Sequence, residues 1–245
     1  MEFGLTIMEI MNKIQAKKDF YKNKPVTIAF LGDSVTQGCF ECYTVTEDTL
    51  ETVYDYKSVY STRLKEIINL LYPQVQINII NSGISGDCAA NGLKRLKRDV
   101  LAYKPDLCVV SYGLNDSCGK NLTLYSQSLN GIFSALKEKG IEFIFLTQNQ
   151  MCSKTDCRLK ETLFRNISVN FSQIQNDGIL KQFMEEAKKL CLNYGGQVCD
   201  LYPIWEKMGE CGVDTTFLLA NKLNHPIREY HYYIAIKLLE TMMGI

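Results

Sequence analysis

Five short apolar runs recur along this chain of 245 residues, at 26–31, 77–80, 107–112, 143–147 and 197–201. They are nearly continuous and lack the alternation of a sheet with one wet face. Such strands must be covered on both sides, and the longer segments between them read as helices able to do it. Those helical segments fall at 54–71, 92–103, 122–139 and 178–194, with a last one at 228–243. Gly140 and the Gly195-Gly196 pair stand where helices should stop. The pattern predicts one α/β domain over 1–245, with α/β/α layers around a mostly parallel, five-stranded sheet. Residues 1–24 form an N-terminal helical extension in this reading, with Leu5, Met8 and Ile14 on one side. Residues 151–177 are the least regular stretch.

A sheet of this kind most simply takes the flavodoxin-like strand order 2-1-3-4-5. On the second long helix, Leu93, Leu96, Val100 and Leu101 make an apolar stripe. Lys94, Arg95, Lys97 and Arg98 then read as its solvated face.

Lys and Arg together number 27, equal to Asp plus Glu, so the formal net charge is zero. That balance argues against a nucleic-acid partner or an anionic membrane surface. No apolar run approaches the roughly 20 residues needed to span a bilayer. Glu2 and Glu9 interrupt the first 20 residues, which also lack a secretory cleavage pattern. The expected location is therefore cytoplasmic. Ten cysteines are present, and reduced thiols are the expectation for that compartment. Cys39-Phe40-Glu41-Cys42 has the spacing of a redox or half-zinc motif, but no second pair completes it. Neither a metal nor a cofactor is expected.

The first apolar run stops at Gly32-Asp33-Ser34. A buried strand that ends this way delivers a hydroxyl to the carboxyl edge of the sheet, where open α/β folds keep their ligands. Asn81-Ser82-Gly83-Ile84-Ser85-Gly86-Asp87 follows the second run and should reach the same edge. Gly86 has no side chain to screen its N–H from a developing oxyanion; alternatively, this is a glycine-rich loop with Asp87 capping the next helix. Ser111-Tyr112-Gly113-Leu114-Asn115-Asp116 follows the third run. Asn115 offers a neutral amide donor, and Asp116 would brace the loop. His225-Pro226 precedes the last helix. The only other histidine, His231, falls within that helix and reads as structural. Ser34, two amide donors and one imidazole are an inventory for acyl transfer through a tetrahedral intermediate.

These four blocks, in this order over about residues 26–235, resemble the SGNH hydrolases, also called GDSL esterases and lipases. The resemblance implies a three-layer α/β/α fold and ester hydrolysis, often of an acetyl group on a carbohydrate. It carries the nucleophile onto Ser34 and the base onto His225. The oxyanion hole falls on the Ser34 N–H, Gly86 and Asn115. The family usually has an Asp three residues before the histidine, where this chain has Lys222. Asn221, Asp214 or a backbone carbonyl near Lys222 could orient the imidazole instead.

The expected function is thus a serine esterase acting on short acyl esters, with a small-molecule substrate and specificity loops at 39–52 and 151–177. The alternative is a non-catalytic protein of the same fold that binds an acylated sugar or a protein partner. A flavin-binding reading has only topology behind it, because the first loop lacks the Thr/Gly-rich phosphate cradle.

Overall fold

In the computed structural model, which describes residues 7–16, 22–46 and 49–245, all five apolar runs are strands of one parallel sheet. In chain order the elements are α1 (Glu9–Ala16), β1 (Val26–Gly32), α2 (Ser34–Gln37), β2 (Cys39–Thr46), β3 (Thr49–Tyr54), α3 (Tyr60–Leu71), β4 (Ile77–Gly83) and α4 (Ala89–Asp99). They continue with β5 (Leu107–Ser111), α5 (Leu114–Cys118), α6 (Leu122–Glu138), β6 (Glu142–Leu146), α7 (Thr162–Asn176) and α8 (Ile179–Asn193). The chain ends with β7 (Gln197–Cys199), α9 (Tyr202–Glu210) and α10 (Arg228–Met243). The sheet runs β4-β1-β5-β6-β7. Numbered within the sheet, that is the expected 2-1-3-4-5. Helices α3 and α10 pack together on one face, while α4, α6 and α8 form a continuous layer on the other.

The strands form because their residues have nowhere else to go. Ile28, Ala29, Phe30 and Leu31 of β1 are fully buried, as are Leu107, Cys108 and Val110 of β5. Burying each such aliphatic or aromatic side chain is worth about 1.5–3 kcal/mol. Register then places the loops. Gly32 is aligned with Gly83 on one side and with Ser111 on the other, so three segments leave the sheet at one level. The single turn of α2 lies tightly against β4. A Cβ on Gly83 would sit 2.2 Å from the Gln37 amide nitrogen, so this position excludes any side chain.

Four sequence expectations are corrected. Residues 162–176, expected to be irregular, form α7. A separate two-stranded hairpin, β2–β3, occupies most of the segment read as a loop. Helix α9 stands where none was expected. Arg95 does not belong to the solvated face of α4: only 8% of it is exposed. In the expected N-terminal extension, α1 is helical, and Ile10 and Ile14 belong to the main core. Leu5 and parts of that segment lie outside the described residues. No helix among the described residues is long and apolar enough to cross a membrane.

Candidate active site

Ser34 follows directly from the end of β1. Asp33 caps the short turn of α2, its Oδ1 accepting the Val35 N–H at 3.0 Å, and Gly38 ends it in a left-handed conformation. That leaves Ser34 97% buried, lining a cavity at the carboxyl edge. Near the far end of the chain, His225 sits in a loop pinned by Asn221, whose Oδ1 accepts the N–H groups of Leu223, Asn224 and His225, each at 3.0 Å. The two meet: His225 Nε2 lies 3.0 Å from Ser34 Oγ.

The other ring nitrogen, Nδ1, lies 2.9 Å from the backbone carbonyl oxygen of Phe40 on β2. A carbonyl only accepts, so the ring proton is on Nδ1. Nε2 then carries the lone pair and accepts from the Ser34 hydroxyl. Burial pushes the imidazole pKa down to about 4, against the smaller upward pull of the Phe40 carbonyl and of the Glu41 charge. At neutral pH the ring is an uncharged base.

Neither side chain expected to orient the ring occupies that position. Asn221 uses its carbonyl oxygen for the loop amides and its Nδ2 for Asn224 Oδ1 at 3.0 Å. Asp214 is half exposed and paired with Lys154 at 2.7 Å. Lys222, at the position where an Asp was looked for, has a left-handed backbone, and its Nζ donates to the Leu219 carbonyl at 2.8 Å.

Gly86 and Asn115 line the same cavity as Ser34 and His225, a space of about 210 Å³. Gly86 has φ +75° and open space around it. The Asn115 amide donates one of its two protons to the Asp87 carbonyl at 2.8 Å, which ties α5 to the glycine loop and leaves the second N–H for a ligand. Asp116 reaches across to the start of α4, where its Oδ1 accepts the Ala89 N–H at 2.9 Å. It thus does the capping for which Asp87 was the sequence candidate. Its Oδ2 has no partner among the described residues, and burial pushes its pKa up to about 6. A wider cleft of about 1130 Å³, lined by Lys94, Arg98, Pro105 and Ile141, lies at the amino ends of β5 and β6, away from these groups.

Residues 30–226 match the family described as GDSL-like lipase/acylhydrolase. The chain belongs to that family. A stretch of 89 residues is 28% identical to an acetylxylan esterase of Geobacillus stearothermophilus, and covers 36% of this chain and 39% of that relative. Among solved structures, a two-domain esterase active on acetylated mannans superimposes with a TM-score of 0.66 at 17% identity. That match covers 96% of this chain but only 51% of the other, so the chain spans about half its length. An acetylxylan esterase structure from G. stearothermophilus superimposes at 0.64 with 17% identity, over 89% of this chain and 94% of that one. At such identities the likeness is one of fold.

Within this GDSL-like framework, three contributors escaped the sequence reading. The Phe40 carbonyl left no signal, because every residue has a carbonyl. Gln148, just past β6, donates its Nε2–H to Asp33 Oδ2 at 3.0 Å; a polar residue straight after an apolar run at the same sheet edge was a usable clue. Asp33 itself is fully buried, and desolvation lifts its pKa to about 7. Arg95 is the third. Its guanidinium bonds Asp87 Oδ2 at 2.6 Å, the Gly32 carbonyl at 3.1 Å, the Ser82 carbonyl at 2.7 Å and the Tyr112 hydroxyl at 2.7 Å. One buried cation thereby joins the ends of β1 and β4, the glycine loop and the residue after β5.

Proposed function

We propose that this GDSL-like protein is a serine esterase that removes short acyl groups, acetyl foremost, from carbohydrate hydroxyls. The observation that carries the reading is the relay Phe40 carbonyl–His225–Ser34, with bonds of 2.9 and 3.0 Å. As Ser34 Oγ bonds to the ester carbon, its proton passes to His225 Nε2. The negative charge that develops on the carbonyl oxygen faces the N–H groups of Ser34 and Gly86 and the spare amide proton of Asn115. The alcohol leaves with the proton from Nε2. Water then attacks the acyl-enzyme, gives a proton to Nε2, and the acid departs as Ser34 regains its hydrogen.

Two features support the substrate class. The cavity is smaller than the 300–1,000 Å³ typical of drug-sized ligands, which suits an acetyl group better than a long acyl chain. At its rim, Tyr54 is 43% exposed and stacks on the exposed Tyr56 with ring centroids 6.1 Å apart. An exposed pair of amphipathic rings suits a sugar, which is apolar on its ring faces and polar at its edges. The names of the acetylxylan and acetylmannan esterases point the same way.

The test is hydrolysis of p-nitrophenyl acetate and of acetylated xylo-oligosaccharides, together with labelling by a fluorophosphonate probe. Ser34→Ala and His225→Ala should each lower kcat/KM by at least about 10³-fold, and Ser34→Ala should abolish labelling. Near-normal turnover by either variant refutes the assignment. A wild-type protein that neither labels nor hydrolyses would favour the non-catalytic binder.

A further inference from the structure

The Phe40 carbonyl that orients His225 belongs to a hairpin outside the main sheet. Strands β2 and β3 pair with each other, and beyond the buried Cys39 and Phe40 much of their length is half or fully exposed. A hydrogen bond from such an element keeps its geometry only if something ties the element to the core. Arg228, the first residue of α10, does so from three directions. Its Nη1 and Nη2 grip the two carboxylate oxygens of Glu41, the residue next to Phe40, at 2.5 and 2.9 Å. Its Nε donates to Asp55 Oδ2, just past the end of β3, at 2.9 Å. Its guanidinium carbon lies 4.3 Å over the centre of the Phe40 ring. Helix α10 is itself packed on α3 and buried along Ile234, Ala235 and Leu238.

We propose that Arg228 is a positioning residue for the base: by clamping Glu41, Asp55 and the Phe40 ring to α10, it holds the Phe40 carbonyl against His225 Nδ1. The backbone thereby does the orienting for which position 222 offers no carboxylate. The inference rests on the Ser34–His225 reading above. A planar fork bonded to a carboxylate at both tips constrains direction as well as distance, which an ammonium cannot do. Charge supports the clamp. The Arg228 hydrogen bonds hold Glu41 below the usual carboxylate range. Partial burial acts to raise Asp55, but bonds from Ser58 and Arg228 override it and bring it to about 2. At neutral pH the clamp is therefore ionised while His225 is a free base.

The fold supplies an internal control. The second histidine, His231, accepts the Tyr60 N–H at its Nδ1, 3.2 Å away, so its proton is on Nε2. The chain's two imidazoles thus hold opposite tautomers, which nitrogen NMR of ¹⁵N-histidine-labelled protein distinguishes without any substrate. His225→Ala assigns the signals. In Arg228→Met, His225 should turn into a tautomer mixture while His231, fixed by the Tyr60 N–H, keeps its proton on Nε2. For p-nitrophenyl acetate, kcat should fall by about 10- to 100-fold, as for a small misplacement of a catalytic group, with KM within twofold. Arg228→Lys should recover part of the loss. If His225 keeps its Nδ1 proton and kcat stays within twofold of wild type, burial of Phe40 alone sets the geometry and the inference is overturned. Should Arg228→Met fail to fold, Glu41→Gln is read by the same two measurements, and an unchanged His225 again overturns it. A wild-type His225 with its proton on Nε2 would instead sink the site reading, and this inference with it.

Discussion

On the nucleophile's side of the site carboxyl groups are buried: Asp33 and Asp87 are almost wholly inaccessible and Asp116 is partly buried, in the segments that follow β1, β4 and β5. On the imidazole's side the ring is held by a backbone carbonyl, and the charged groups stand one residue away, half exposed. The contrast separates two uses of charge. Near Ser34, buried carboxyl groups build the backbone turns: Asp33 caps α2, Asp116 caps α4, and Asp87, ion-paired with Arg95, ties several strand ends together. Near His225, charge is kept off the ring, so the base stays neutral, and acts through the backbone. A buried carboxylate is tolerable where N–H donors and a guanidinium offset its desolvation.

The largest expected effect breaks the first side. Arg95→Met should leave Asp87 buried without a counter-charge and lower the unfolding free energy by about 3–5 kcal/mol in urea titration. The matching change on the other side, Arg228→Met, should lose no more than about 1 kcal/mol because its ion pairs are half exposed. Equal losses would erase the distinction between the two arginines.

Asn115→Ala comes next. It removes an oxyanion donor and the tie to the Asp87 carbonyl, and kcat for p-nitrophenyl acetate should fall by about 10²- to 10³-fold. A drop under fivefold would take Asn115 out of the proposed hole.

The pH profile sharpens the second side. Nε2 must be unprotonated to accept the Ser34 proton, and burial holds the ring near pKa 4. The loss of activity that comes from His225 should therefore run through about pH 4, as the ring takes up a proton, and any change between neutral pH and pH 5 belongs to Asp33 and Asp116 instead. A His225 limb near the ordinary histidine value of about 6.5 would mean that water reaches the ring.

The smallest effect is expected at the residue that looked most anomalous. Lys222→Asp should change kcat/KM by less than about threefold, because Nδ1 is already taken by the Phe40 carbonyl and the side chain at 222 turns toward Leu219. A tenfold gain would show that a carboxylate there can displace the carbonyl.

The strands were legible because burial on both faces forces continuous apolar runs, and Val26–Gly32 shows this at its plainest. Helix α7 was not. Its sequence, TLFRNISVNFSQIQN, is rich in Asn, Ser and β-branched residues with low helix propensity. Packing of Phe164, Ser168 and Ile174 makes it a helix regardless. Arg95 was misplaced because an i, i+3 neighbour of Gly92 faces inward whatever its charge, and Gly92 itself is packed on the Tyr112 hydroxyl.

The order of apolar runs, by itself, determined that Ser34, Gly86 and Asn115 stand along one edge, since every strand of a parallel sheet ends on the same side. What only the folded chain decided is which nitrogen of His225 holds the proton and what keeps it there. That partner is a main-chain oxygen, a group every residue carries, and it becomes an orienting group only when packing brings Phe40 across 185 positions of sequence to the ring.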